Sequence, residues 1–315
     1  MNSSDSRQLT TPAPNPHDYV GTPALATPAQ VIVDVLGAPE PQLCDPAEPM
    51  IFADDLAAVR GDGVFETLML RNGEVHNLQR HATRFVTSAA MLDLGEPDLD
   101  RWLAATELAA EAFAASVGAP EAALRWVYSR GRESTGQATG WVTVAPIAAD
   151  VLAARQSGVK VMTAERGFRI DLSERSPWAL IGAKTLSYAA NMAALRYAKA
   201  HGLQDVIFVS DEGHVLEGPT SSVVVLRDNT LVTPPIEAGV LPGTTQAALF
   251  RVAEEQGWET TYEVLSVQDL IESDGVWLVS SVRVQARVTE LDGHEMPRAE
   301  CADEIEQMMW EAVAH

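Results

Sequence analysis

Patterns typical of strands and of helices are mixed along both halves of this 315-residue chain, and that mixture limits the folds open to it. The apolar stretch 64–71 alternates like a strand, and the Asn72-Gly73 pair after it is typical of a hairpin turn because both residues accept positive φ. Residues 78–94 then place apolar side chains at helical spacing. Because helices and strands do not follow a strict βαβ order, the sequence predicts an α+β fold in two domains.

The same patterns predict the domain boundaries. Residues 1–30 are rich in Ser, Thr and Pro and poor in large apolar groups, which predicts a disordered tail. We expect an N-terminal domain over 31–147, a linker over 148–158 and a C-terminal domain over 159–315. The other predicted elements are strands at 31–37, 75–78, 123–129, 141–146, 159–164, 205–210, 222–227, 230–233, 275–279 and 287–291, and helices at 98–115, 184–201 and 244–256.

Charge and cysteine usage exclude several classes of function. The chain has 44 acidic and 22 basic residues, a formal net charge of -22, so we expect no nucleic-acid partner. Cys44 and Cys301 cannot form a disulfide framework, and no Cys/His pair has zinc-site spacing, so no metal is expected. Without a long apolar run or a signal-peptide pattern, we expect no membrane span and a cytoplasmic location.

Lysine is scarce, which narrows any chemistry that needs a nucleophilic amine. Lys160 alternates with valines and should face solvent, and Lys199 falls in the last turn of a predicted helix. Lys184 lies among small uncharged residues, where desolvation lowers the pKa of an amine and makes it nucleophilic. By elimination Lys184 is the best candidate for a Schiff-base lysine. The alternative is a lysine at a helix start with its ammonium in solvent.

Three further features suit a phosphorylated heterocyclic cofactor. Glu217, between apolar residues and small hydroxyl residues, is a candidate to hold a proton on a ring nitrogen or else to cap a turn. Gly243, Thr244 and Thr245 precede a predicted helix, whose free amides could bind phosphate or simply form an ordinary N-cap. Arg84 could bind a phosphate or form a surface ion pair. An amine, an acid, an amide-rich helix start and an arginine together predict pyridoxal phosphate.

Six blocks of this sequence resemble the class IV, or fold-type IV, pyridoxal-phosphate enzymes. That family includes branched-chain and D-amino-acid aminotransferases and aminodeoxychorismate lyase. The matching blocks, in family order, are GDGVFET (61–67), LQRHATRFVTSA (78–89), GAKTLSYAAN (182–191), DVIFVSDEGHVLEGPTSS (205–222), VLPGTT (240–245) and VSSVRVQARVTELDG (279–293).

The resemblance implies a homodimer in which the cofactor lies between a smaller N-terminal α/β domain and a larger C-terminal pseudo-barrel domain. Lys184 matches the lysine that forms the Schiff base and moves protons, and Glu217 matches the carboxylate that faces the pyridine nitrogen. The residues implied for binding the cofactor are Arg84, Lys184, Tyr188, Glu217, Ser222, Gly243, Thr244, Thr245 and Ser281. Those implied for binding a small-molecule substrate are Phe65, Arg130 and Arg132.

The subfamily resemblance favours aminodeoxychorismate lyase, which releases pyruvate and gives 4-aminobenzoate. Ser222 stands where branched-chain aminotransferases usually carry Asn, and the Ser129-Arg130-Gly131 stretch looks more like lyase-type members. Arg125 is a third candidate for the substrate carboxylate, but its parity on a strand is opposite to that of Arg130. The alternatives are an aminotransferase for D-amino or branched-chain substrates, a non-catalytic cofactor-binding scaffold, and an acidic interaction module.

Overall fold

A computed structural model describes residues 30–314. The tail predicted for residues 1–30 lies almost wholly outside the described residues. The strands are β1 (Val31–Asp34), β2 (Gln42–Cys44), β3 (Gly63–Arg71), β4 (Glu74–Val75), β5 (Glu121–Ser129), β6 (Thr139–Pro146), β7 (Val159–Glu165), β8 (Asp205–Val209), β9 (Ser222–Arg227), β10 (Thr230–Thr233), β11 (Glu259–Tyr262), β12 (Gly275–Ser280), β13 (Val284–Leu291) and β14 (His294–Glu295). The α-helices are α1 (Leu56–Arg60), α2 (Leu78–Met91), α3 (Leu99–Ser116), α4 (Ala149–Ser157), α5 (Leu172–Arg175), α6 (Ala189–Ala200), α7 (Thr244–Glu255), α8 (Val267–Ile271) and α9 (Ala302–Ala314).

The first sheet is antiparallel, in the order β2-β1-β6-β5-β3-β4. Helices α2 and α3 cover one of its faces, because alternate residues of each strand carry large apolar groups to that side. Phe85, Trp102 and Trp126 are fully buried there, and the ring centroid of Phe85 lies 5.4 Å from that of each tryptophan. Positive φ at Asn72 and Gly73 confirms the predicted hairpin between β3 and β4.

The second sheet mixes parallel and antiparallel pairs, in the order β11-β10-β9-β12-β13-β7-β8, with β14 beside β13. Its central strands β9 and β12 are buried over almost their whole length, as expected for a sheet covered on both faces. Helices α7 and α9 pack together against one face, around the fully buried Trp277. The two sheets with their helices confirm the predicted α+β class.

The segment predicted as a linker forms helix α4, which contacts β13. The sequence did not predict this helix, and the exact domain boundaries at 147 and 159 stay a prediction. Within the described residues, helices are either too short or too polar to cross a bilayer.

Lys184 lies before helix α6 rather than inside it, so the helix predicted to begin at residue 184 was wrong by five residues. The backbone around Lys184 bonds instead to β3 of the other sheet: the amide of Phe65 donates to the carbonyl of Lys184 at 3.1 Å, and the amide of Leu186 donates to the carbonyl of Gly63 at 2.8 Å. These bonds use backbone groups that a helix would need. They place the lysine between the two sheets.

Candidate active site

The side chain of Lys184 is held between two aromatic rings. Its Nζ lies 4.4 Å from the ring centroid of Phe65 and 5.7 Å from that of Tyr188. The two rings meet edge to face, with centroids 5.2 Å apart. The amide of Lys184 donates to Oγ of Ser88 at 3.1 Å, which ties the lysine to helix α2.

The electrostatic setting of Lys184 favours the neutral amine. Burial, assisted by the positive charge of Arg84, lowers the pKa of Lys184 from 10.5 to about 8, although the carboxylates of Glu66 and Glu217 act in the opposite direction. A lysine with that pKa has an appreciable neutral fraction near neutral pH, so it is a competent nucleophile and base.

Glu217 lies in the segment between β8 and β9, close enough to Lys184 for each charge to affect the pKa of the other. Its Oε2 accepts a hydrogen bond from the amide of Leu241 at 3.0 Å. Burial raises the pKa of Glu217, against the effects of that amide and of nearby cations including Lys184. Such a carboxyl group is ready to share a proton with a buried heterocyclic nitrogen. Burial, with the nearby Glu217 charge, also raises the pKa of Tyr188 to about 12, so its phenol is a hydrogen-bond donor.

The N-terminus of helix α7 forms a candidate phosphate site. Gly243 is its N-cap, followed by the buried residues Thr244 and Thr245. Among the described residues, Oγ1 of Thr245 is buried without a hydrogen-bond partner. A Cβ at Gly243 would lie 2.3 Å from Oγ of Ser222, so only glycine leaves this approach open. We call Gly243, Thr244, Thr245, Ser281 and Arg84 the phosphate cradle.

Arg84 reaches the cradle from helix α2 and is rigidly held. Its Nε and Nη2 donate to the two oxygens of Glu66 at 2.7 and 2.6 Å, and its Nη1 donates to the carbonyl of Pro242 at 2.8 Å. Three of its five N–H groups are thus used, and two remain for an anion. The bond to Pro242 joins the first sheet's helix directly to the loop before α7.

Glu66 and His81 are functional candidates that the sequence did not suggest. Nδ1 of His81 lies 2.6 Å from Glu66, while its Nε2 lies 3.0 Å from Oγ of Ser281 and 3.3 Å from Oγ1 of Thr244. His81 and Arg84 are three residues apart on α2 and therefore share a helix face. Two sequence features could have indicated this cluster: the three-residue spacing of His81 and Arg84, and the presence of the acidic residue Glu66 inside the otherwise apolar strand β3.

Arg130 and Arg132, predicted to bind substrate, are both engaged in contacts within the protein. Arg130 pairs with Asp62 through Nε at 2.7 Å and donates to the carbonyl of Leu92 at 2.6 Å. Arg132 pairs with Asp54 at 3.0 Å, and its guanidinium stacks 3.9 Å from the ring of Phe52. These contacts join the loop after β5 to Asp54, Asp62 and the end of helix α2.

Arg125 is a second arginine, besides Arg84, that the structure brings close to Lys184. Its guanidinium lies 5.9 Å from the centroid of Phe65, the same ring that Lys184 contacts. It lies on the strand face away from the buried core residues Leu124 and Trp126, as the alternation of β5 requires. Arg125 is exposed on its strand, yet desolvation of its guanidinium lowers its pKa, and among residues 30–314 no acidic residue forms an ion pair with it.

The residues of the site fit pyridoxal phosphate. The partnerless hydroxyl of Thr245, the free amides at the start of α7 and two unused N–H groups of Arg84 suit a phosphate. The amine of Lys184 suits an aldehyde, and the buried carboxyl group of Glu217 suits a ring nitrogen. Across residues 30–314, His, Cys, Asp and Glu side chains form no cluster of three that could hold a metal ion.

Comparisons with known proteins agree with this geometry. The family model for amino-transferase class IV matches residues 63–291. The bifunctional aminodeoxychorismate lyase / D-amino acid transaminase of Mycobacterium tuberculosis is 47% identical over 279 residues, which cover 86% of this chain and 96% of that protein. A putative branched-chain-amino-acid aminotransferase of Methanocaldococcus jannaschii is 25% identical, over 79% of this chain and 85% of that protein.

Solved structures show the same likeness. A hypothetical aminotransferase from Mycobacterium tuberculosis, known in a PLP-bound form and in an alpha-ketoglutarate and PMP bound form, has 46% identity and a TM-score of 0.87, covering 90% of this chain and 98% of that one. The fold IV-transaminase CpuTA1 from Curtobacterium pusillum has 40% identity and a TM-score of 0.85, covering 91% of this chain and 100% of that one.

Proposed function

The chain belongs to the class IV aminotransferase family, and from that premise we propose that it is an aminodeoxychorismate lyase that releases pyruvate and yields 4-aminobenzoate. Family membership confirms the predicted pyridoxal-phosphate enzyme, and the likeness to fold-type IV structures confirms the predicted two-domain fold. The place of Lys184 supports a pyridoxal-phosphate activity: an amine with a pKa of about 8 lies between Phe65 and Tyr188, and Arg125 lies near the same Phe65 ring. The name of the 47%-identical relative, which includes aminodeoxychorismate lyase, favours the lyase reaction.

We assign the cofactor contacts residue by residue. Arg84, Thr244, Thr245 and Ser281 would bind the phosphate, and Gly243 leaves space for it to approach. Glu217 would face the pyridine nitrogen and hold its proton. The phenol of Tyr188 would donate to the ring oxygen, since its pKa of about 12 keeps it protonated.

Proton movements in this scheme depend on Lys184. When bound, pyridoxal phosphate supplies the electron sink for the carbanion formed beside the substrate nitrogen. The neutral amine of Lys184 would hold the aldehyde carbon of the cofactor, and its Nζ would be the base that takes a proton from the substrate carbon. Burial beside the rings of Phe65 and Tyr188 lowers the pKa of Lys184, so a fraction of Nζ would be neutral and able to take a proton.

We propose Arg125 as the residue that binds the substrate carboxylate. Arg130 and Arg132 already hold Asp62 and Asp54 with bonds of 2.7 and 3.0 Å, which favours structural roles for both. A guanidinium near Lys184 would orient a carboxylate beside the reacting carbon and form charge-assisted hydrogen bonds with it.

D-amino acid transamination is the second candidate activity. It is favoured by the name of the 47%-identical relative, which joins both activities, and by the alpha-ketoglutarate and PMP bound form of the 46%-identical structure. In that reaction Nζ of Lys184 would again move a proton, and the substrate would contain no pyruvyl group to lose. The same residues serve both outcomes, so the substrate decides between them.

A comparison of two substrates tests the proposal. Purified holoenzyme with aminodeoxychorismate should give 4-aminobenzoate and pyruvate in equal amounts, and Lys184→Ala should give neither. Much faster turnover of D-alanine or a branched-chain amino acid with 2-oxoglutarate would contradict the lyase assignment and favour a transaminase. No turnover with any of these substrates, despite bound cofactor, would favour the non-catalytic scaffold.

The predicted homodimer also stays a proposal. The face of the first sheet that carries Phe65 and Arg125 is opposite to the face covered by helices, which suits a second copy of the chain. Light scattering on purified protein should give twice the mass of the chain. A monomer with full activity would contradict this proposal.

A further inference from the structure

A chain of hydrogen bonds links Glu66 to two hydroxyl groups of the phosphate cradle through His81. Nδ1 of His81 lies 2.6 Å from Oε2 of Glu66, and Nε2 lies 3.0 Å from Oγ of Ser281 and 3.3 Å from Oγ1 of Thr244. The two hydroxyl oxygens are 3.2 Å apart. His81 and Glu66 are fully buried. The direction of each hydrogen bond therefore depends on which atoms of this network carry the protons.

The charges around His81 define its protonation. Burial opposes ionisation of Glu66, but the charge and hydrogen bonds of Arg84 and the His81 contact lower the pKa of Glu66 to about 2, so it is a carboxylate and Nδ1 carries a hydrogen. Burial lowers the pKa of His81, and the cations Arg84 and Lys184 add to this, while Glu66 acts against it. His81 is therefore neutral near pH 7 without an anion in the cradle, and its Nε2 is a hydrogen-bond acceptor.

A neutral His81 turns at least one of these two hydroxyls away from a phosphate, because its Nε2 accepts one hydroxyl hydrogen. Nε2 accepts the hydrogen of Ser281, and the oxygen of Ser281 can in turn accept the hydrogen of Thr244. A phosphate dianion only accepts hydrogen bonds, so it binds both hydroxyls only when both of their hydrogens point outward. They can do so once Nε2 carries a hydrogen and becomes the donor.

We propose that His81 takes up one proton when a phosphate monoester binds in the cradle, and that Glu66 holds the resulting imidazolium in place. The proton comes from solvent or a buffer acid, and the only new covalent bond is Nε2–H. The imidazolium donates to Ser281 or Thr244, and both hydroxyl hydrogens turn to phosphate oxygens. His81 is thus a positioning residue that acts through the hydroxyls, and the inference rests on the phosphate site proposed above.

The charges that face His81 make this change possible. Arg84 on α2 and Lys184 in the loop before α6 disfavour a cation there, Glu66 on β3 favours it, and Thr244 and Ser281 are neutral. A bound dianion would offset the charges of Arg84 and Lys184, and the protonated form of His81 would then be favoured. Phosphate affinity should then fall as pH rises above neutrality, although the free monoester, with a pKa of about 6, is already a dianion there.

Calorimetry with pyridoxine 5′-phosphate, which carries the ring and phosphate but no aldehyde, tests the inference on the cofactor-free full chain. Binding is measured at about pH 7.5 in two buffers of different ionisation enthalpy, where the free ligand is a dianion. The wild type should take up close to one proton per ligand. His81→Gln, which keeps an N–H donor towards the hydroxyls, should bind without proton uptake.

Each other result has a distinct meaning. Wild-type binding without proton uptake, or equal uptake in His81→Gln, would overturn the inference, the second by placing the proton on the ligand. Absence of any binding to the folded wild type would overturn the proposed phosphate site and, with it, this inference. Should His81→Gln fail to fold, nitrogen-15 NMR of the wild type decides, because Nε2 of His81 must become protonated when ligand is added, and an unchanged Nε2 signal overturns the inference.

Discussion

Both carboxylate oxygens of Glu66 bind the guanidinium of Arg84, Oε1 to Nε at 2.7 Å and Oε2 to Nη2 at 2.6 Å. The Glu66 side chain has no exposed surface and that of Arg84 has 9%. Glu66→Gln would leave a buried cation without a counter-charge, so we expect a loss of about 3–5 kcal/mol in the free energy of unfolding. We also expect cofactor phosphate to bind at least about tenfold more weakly, since 1.4 kcal/mol of misplaced Arg84 contact is enough.

Glu74→Gln is the matched control, because Glu74 is exposed at the end of the same hairpin. Denaturant unfolding and cofactor titration should leave this variant close to the wild type. Equal behaviour of Glu66→Gln and Glu74→Gln would show that the buried pair does not orient Arg84.

Replacement of Lys184 should stabilise the cofactor-free protein in a pH-dependent way. Burial lowers the pKa of Lys184 from 10.5 to about 8, so between these values the unfolded chain binds more protons than the folded one and wild-type stability rises with pH. Lys184→Met removes the cost of the buried charge. We expect it to be more stable than the wild type by roughly 1–3 kcal/mol below pH 8, with the advantage shrinking towards pH 10.5.

Lys160→Met controls for loss of a lysine, since Lys160 is exposed and pairs with Glu290 at 2.7 Å. Thermal unfolding from pH 7 upward gives the comparison. A Lys184→Met advantage that stays constant with pH would mean that better packing, not charge, causes it.

Local pattern predicted the parts of the site that depend on local structure. Gly243-Thr244-Thr245 before an apolar helical repeat correctly placed the N-terminus of α7, because a helix start depends on a few neighbouring residues. Lys184 was found by elimination, yet its helix was wrongly started there. The backbone next to Lys184 pairs with strand β3, which lies about 120 residues earlier in the sequence. A local sequence pattern cannot show a pairing over that separation.

The arginines show the same limit. Arg84 was predicted as a phosphate ligand, but its orientation depends on Glu66, which is 18 residues earlier and on another element. Arg130 stays a prediction for substrate binding, but its ion pair with Asp62, 68 residues earlier, could not be read from local pattern. The sequence shows which charged side chains could bind a ligand. Contacts between residues distant in sequence determine which of those side chains are already engaged in ion pairs within the protein.

Arg125 and Arg130 should affect different measured quantities. If Arg125 binds the substrate carboxylate, Arg125→Gln should raise KM about 10–100-fold by removing charge-assisted hydrogen bonds of about 1.5–3 kcal/mol. Arg130→Gln should instead lower Tm, because Arg130 joins Asp62 to the carbonyl of Leu92 at the end of α2. Steady-state kinetics and thermal melts on both variants separate these roles, and a KM effect confined to Arg130→Gln would reverse the assignment.

Gly243 and Ser222 should be energetically coupled. A Cβ at position 243 would lie 2.3 Å from Oγ of Ser222 but 3.4 Å from its Cβ, and 3.2 Å from Cβ of Gln246. In Gly243→Ala either Ser222 must rotate away or the start of α7 must shift, so we expect a loss of about 1–3 kcal/mol in the free energy of unfolding and weaker cofactor binding.

Removal of the hydroxyl in Ser222→Ala takes away the atom that lies closest to a Cβ at position 243. A double-mutant cycle should therefore show a smaller cost of Gly243→Ala in the Ser222→Ala background. Equal costs in both backgrounds would locate the conflict at Gln246 instead, and the hydroxyl of Ser222 would then have no part in keeping position 243 free of a side chain.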